Sequence, residues 1–111
     1  MKLPLDSDVP FEKLTHYLLV PQARADKSAF LARAGYTPAT AALLRQDLLS
    51  QILPLDALPA GTNQFGNYFE IRGPLRGPNG EALRVKTIWM REHLSEATRF
   101  NTLLPDKTKM P

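Results

Sequence analysis

At 111 residues, with 43% hydrophobic and 23% charged side chains, the chain has the make-up of one folded domain. A net charge of +3 is compatible with a nucleic-acid partner without requiring one, and no cysteine means no disulfide, thiolate nucleophile or cysteine-ligated zinc. No signal-peptide pattern or apolar run of membrane-spanning length is present, which predicts a cytoplasmic chain with no membrane contact.

Met1 to Pro10 is polar and carries two prolines, so it reads as a loosely held lead-in. Phe11, Leu14 and Leu18 recur at helical spacing and predict a helix from about Pro10 to Leu19, with Asp8 near enough to cap it and Pro21 to stop it. Asp26 suits the N-cap of a second helix, Lys27 to Ala34, with Phe30 and Leu31 turned inward and Gly35 as C-cap. Thr37-Pro38 reads as N-cap and first residue of a third helix. Its buried stripe is Leu44, Leu48 and Ile52, assisted by Leu43 and Leu49, and Pro54 ends it.

Residues 54–63 carry prolines and a glycine and are expected to connect a helical half to a sheet half. Two runs rich in β-branched and aromatic residues then flank Gly77-Pro78-Asn79-Gly80, a hairpin signal with Gly80 at the left-handed position. Counting back from Gly77 opposite Glu81 pairs Leu75 with Leu83, Gly73 with Val85, Ile71 with Thr87 and Phe69 with Trp89. A slip of one residue would mix the apolar and charged faces, so the register is specified. Phe69, Trp89 and Thr87 then fall on the packed face. Arg72 faces Lys86 on the other, a like-charge pair that calls for an anion or an acid.

Glu92 to Glu96 reads as a polar turn and Ala97 to Leu104 as a third strand, with Phe100, Thr102 and Leu104 on the packed face and Arg99 and Asn101 opposite. Pro105 closes it, and 106–111 is expected to be a mobile tail. Pro74 has no N–H to give a ladder, so the strand that carries it should be an edge, at least there. These elements predict an α+β fold: three N-terminal helices packed on one face of a C-terminal three- or four-stranded antiparallel sheet, in a single domain spanning 1–111.

Several of these residues also resemble a known family. Lys13-Leu14-Thr15-x-Tyr17-Leu18-Leu19-x-Pro21, Lys27-x-x-Phe30, Gly35-Tyr36, Gly66 with Tyr68, Gly73-x-Leu75-x-Gly77-Pro78-Asn79-Gly80, Thr87-x-Trp89 and Thr102 together resemble a small bacterial domain-of-unknown-function family. The resemblance covers nearly all of the chain from Lys13 onward. Members of that family occur alone and at the C-termini of polymorphic toxins. The resemblance implies the barnase, EndoU, colicin and RelE type of ribonuclease fold, with RNA on an open sheet face and a cognate immunity or antitoxin protein as partner. It also makes delivery within a toxin system an alternative to a cytoplasmic location. The chain departs from many toxin-linked members in carrying Asp26, where they have a His before the lysine.

Metal-independent RNA cleavage needs a base for the 2′-hydroxyl, a cation for the phosphorane and an acid for the leaving oxygen. The candidate bases are His16, Glu70 and His93. The sharpest reading makes Glu70 the base, with Arg72 and Lys86 binding the phosphate, and His16 and Lys27 as further catalytic candidates. Tyr68, Arg84, Arg99 and Asn101 would bind nucleic acid on the same face. The plainer reading of that face is a charged, solvated surface that resists edge aggregation. Neither a phosphate loop, a metal-ligand spacing nor a nucleophile elbow is present, so no cofactor and no metal is expected. The alternative to a ribonuclease is a non-catalytic nucleic-acid or protein-binding accessory module, paired with a neighbouring gene product.

Overall fold

The Gly-Pro-Asn-Gly hairpin forms the centre of a four-stranded antiparallel sheet, ordered β1 (Leu58–Thr62), β2 (Gly66–Arg76), β3 (Ala82–Glu92) and β4 (Thr98–Pro105). The computed structural model describes residues 1–22 and 26–107. Between β2 and β3 the register is the one that the apolar pattern requires, Phe69 with Trp89, Ile71 with Thr87, Gly73 with Val85 and Leu75 with Leu83. At the tip, the Gly80 N–H reaches the Gly77 carbonyl at 3.0 Å, and Gly80 has φ +90°.

The helical segments precede the sheet, so the class is α+β. α1 begins as Phe11–Lys13 and widens into a π-helical Leu14–Leu18. α3 is Ala41–Asp47, entered through the 3₁₀ turn Pro38–Thr40 and leaving through a π-helical Leu48–Ile52. Thr37 starts it as expected, its N–H donating to the Thr40 hydroxyl at 2.9 Å. Leu44, Leu48 and Ile52 are fully buried, each contributing roughly 1.5–3 kcal/mol. They meet Ile71, Leu75, Val85 and Trp89 across the sheet's inner face in one core.

α2 is only Ser28–Ala32, shorter at both ends than the sequence suggested, although Asp26 accepts the Ser28 N–H (2.9 Å) and Gly35 turns the chain at φ +94°. With five residues it is a turn of helix, so the sheet is covered mainly by α1 and α3. Phe11 stands exposed rather than on the α1 stripe, because the π-turn rotates the helix (Leu19 N–H to Leu14 C=O, 3.0 Å).

The lead-in is not loose. Val9 and Leu3 are buried, and the Asp8 backbone adds beside β4, its N–H to the Thr98 carbonyl (3.0 Å) and its carbonyl accepting from Phe100 (2.7 Å). Asp8 does not cap α1; its carboxylate meets Arg45 at 3.3 Å. Residues 58–62 of the expected connector form β1, which pairs with β2 from Asn67 to Glu70. The β2 edge is therefore open only towards Pro74, and there the Gln51 side chain satisfies Arg76 instead (N–H to Oε1, 2.8 Å; Nε2 to C=O, 3.0 Å).

β4 departs from simple alternation. Its register steps between Ile88–Thr102 and Trp89–Phe100, leaving Asn101 as the extra residue of a bulge. Phe100 and Leu103 therefore point into the core, and Thr102 and Leu104 lie on the outer face, the reverse of their expected side. The expected tail begins as structure too. The Asp106 N–H continues the ladder to the Arg84 carbonyl at 2.9 Å, while residues 108–111 lie outside those described.

Candidate functional site

Alternation along β2, β3 and β4 sets out the open face in four rows: Tyr68–Met90–Arg99, Glu70–Ile88–Thr102, Arg72–Lys86–Leu104 and Pro74–Arg84 with Asp106. The rows divide into an ionic end and an aromatic end.

At the ionic end Glu70, Arg72, Lys86 and Arg84 come together as the sequence predicted. Glu70 takes Arg72 on both oxygens (Nε 2.9 Å, Nη2 3.4 Å) and has Lys86 at 3.8 Å. Arg72 also donates to Asp106 at 2.9 Å, and Arg84 approaches the same carboxylate at 3.8 Å. The partners hold the Arg72 guanidinium above its ordinary pKa, first by the Glu70 hydrogen bond and then by the charges of Glu70 and Asp106. Asp106 is the member the sequence did not reveal, and only 6% of its side chain is exposed. The Arg72–Lys86 repulsion is thus answered by two acids of the chain itself.

The aromatic end holds a cavity of about 740 Å³. Tyr68, Arg99 and Asn101, all predicted for binding, line it. The first helical segment adds Glu12 and Lys13 from its start and Tyr17 from its π-helical end, and the loops add Gln64, Phe65 and His93. Arg99 is paired with Glu92 at 2.6 Å. Among the described residues Lys13 has no ion pair.

One loop residue organises this end. Asn63, between β1 and β2, donates its N–H to the Gly66 carbonyl (3.0 Å), and its Oδ1 accepts from Phe65 (2.9 Å) and Gly66 (3.2 Å). That fixes its amide orientation, so Nδ2 donates to the Tyr68 hydroxyl at 3.1 Å. Its carbonyl, 2.9 Å from His93 Nε2, can only accept, so Nε2 carries the hydrogen. In the neutral ring Nδ1 then keeps a lone pair, and the Tyr68 oxygen, already accepting, keeps a proton to give. Two side chains of the cavity lining, His93 and Tyr68, are thus held by one asparagine.

The other candidates lie elsewhere. His16 is exposed on α1 and lines none of the cavities described. Lys27 is 8% exposed, its ammonium donating to the Tyr17 hydroxyl at 3.2 Å. His93 was legible as a possible base, but its neighbours were not, because Asn63 and Gln64 sit in a stretch with no periodicity. Among the described residues no three His, Asp or Glu side chains converge as a metal-ligand set.

Fold and site together define a small α+β domain with an antiparallel sheet, open on one face and carrying an aromatic cavity at one end. The family described as a domain of unknown function, DUF6883, matches residues 6–107, and the chain belongs to it. No curated protein and no solved structure matches the chain. No helix among the described residues is long and apolar enough to cross a membrane.

Proposed function

We propose that the chain is an RNA-directed, toxin-type domain with metal-independent ribonuclease-like activity, working at the aromatic end of the open sheet face. The observation that carries this reading is the pair His93 and Tyr68, held by Asn63 in one cavity. The resemblance to toxin-linked domains gives it a context by analogy. In the reaction, His93 Nδ1 takes the proton of the 2′-hydroxyl and the 2′-oxygen attacks phosphorus. The P–O5′ bond breaks, Tyr68 protonates the leaving oxygen, and a 2′,3′-cyclic phosphate remains. Lys13 and Arg99 balance the charge that develops on the phosphorane.

Purified protein should cleave total RNA equally well with and without EDTA. His93→Gln and Tyr68→Phe should each lower the rate by about 10²–10⁴-fold. Glu70→Gln separates this assignment from Glu70 as base: it should leave the rate within a few fold, and loss of cleavage there would move the base to the ionic end.

The second reading is a non-catalytic binding module. It is favoured by the closed ion pairs of Glu70, Arg72 and Asp106, which leave that carboxylate busy. RNA left intact but bound with a steep salt dependence would favour it.

A further inference from the structure

We propose that the cavity is a seat for one unstacked nucleobase, so that the chain takes single-stranded rather than duplex RNA; this rests on the RNA-directed reading above. Its volume, about 740 Å³, is that of a small-molecule site. Its aromatic lining is presented, not hidden: Phe65 is 63% exposed, with Tyr17 and Tyr68 in the same wall. Rings held half in water offer a stacking surface that any base can use.

The polar groups fit a base edge. Gln64 and Asn101 each present an amide with both donors and an acceptor, and neither amide has a partner among the described residues. The bulge in β4 places Asn101, and bulges commonly re-aim a side chain in this way. Lys13, with no ion pair among the described residues, is the cation available to a flanking phosphate. In duplex RNA the bases are stacked and the major groove is too narrow for side chains, so a base must leave the stack to meet this lining.

The test measures binding with cleavage blocked. A fluorescent 2′-O-methyl hexamer is titrated as a single strand and as a duplex, against the full chain, Phe65→Ala and Asn101→Ala. A nucleoside monophosphate and ribose 5-phosphate serve as competitors. The single strand should bind at least about ten-fold more tightly than the duplex, and Phe65→Ala should weaken it roughly five-fold or more. The monophosphate should compete weakly and ribose 5-phosphate not at all. Phe65 is exposed, so its variant should keep the wild-type circular dichroism. Equal affinity for the duplex, no effect of either variant, or a free monophosphate binding as tightly as the hexamer would overturn the inference. Single-strand binding as expected with total RNA left uncut keeps the inference and overturns only the ribonuclease reading. Cleavage of RNA with equal duplex affinity does the reverse.

Discussion

Tyr36 is where the helical half is fastened to the sheet. Its ring is buried, and its hydroxyl donates to Asp47 on α3 at 2.6 Å while lying 3.1 Å from the Arg76 carbonyl on β2. Burial first, then the hydrogen bond and charge of Asp47, raise its pKa well above the ordinary value of about 10. A raised pKa favours the folded state while the phenol is protonated in both states. The advantage is lost as pH rises above about 10, where only the unfolded chain ionises. Tyr36→Phe should cost about 1–3 kcal/mol at neutral pH and flatten the decline above pH 10, as read by urea denaturation across pH. Gly77 is decided by contact rather than conformation. A Cβ there would fall 2.1 Å from the Ala34 carbonyl oxygen, since the hairpin tip docks on the end of α2 and Asn79 donates to both Ala34 (3.2 Å) and Arg33 (2.9 Å). Gly77→Ala should therefore cost about 1–3 kcal/mol or more in thermal denaturation. The motifs that carried the family resemblance, Gly35-Tyr36 and Gly-Pro-Asn-Gly, thus meet each other at a packing joint away from the cavity.

At the level of elements, β4 shows how one residue sets a whole face. With Asn101 in the ladder, strict alternation would turn Leu103 outward and bring Thr102 and Leu104 in; the bulge prevents this. A chain lacking Asn101 would run as a regular strand with Leu103 still inside. It should fold with a smaller loss than the 2–5 kcal/mol of Leu103→Ala, measured by chemical denaturation, while losing the Asn101 amide from the cavity. The strand's side-chain pattern hid the bulge because Phe100, Thr102 and Leu104 make a plausible period of two on their own. The hairpin had no such ambiguity. Phe69, Ile71 and Leu75 share one parity of β2, as Leu83, Val85 and Trp89 do of β3, and a single register brings the two sets together. The start of α3 was equally local: Thr37-Pro38 is a helix entry wherever it lies.

For the molecule as a whole, the open face is two surfaces. Its ionic end is a closed network in which Asp106 is nearly buried between Arg72 and Arg84. Asp106→Asn would raise the net charge from +3 to +4, one carboxylate fewer, and take from Arg72 one of the two acids it meets on this face. Arg72 is still 39% exposed, so solvent screens the loss, which should stay well below that of breaking a fully buried pair in urea denaturation. Retention on heparin should increase at low salt, and the gain should fade as salt rises.

By itself the sequence determined what nearest neighbours and periodicity can decide: the α+β order, the hairpin turn and its register, the α3 entry and its buried stripe, and the gathering of Glu70, Arg72 and Lys86. Those follow from side-chain alternation and turn chemistry over a few residues. The N-terminal arm along β4, the β1 pairing, the phase of β4 and the place of Asp106 were decided only by tertiary structure, because each depends on backbone partners far away in the chain. The cavity belongs to that second group. It takes Lys13 and Tyr17 from α1, Gln64, Phe65 and Tyr68 from one loop and strand, and His93, Arg99 and Asn101 from another, and no local pattern links them.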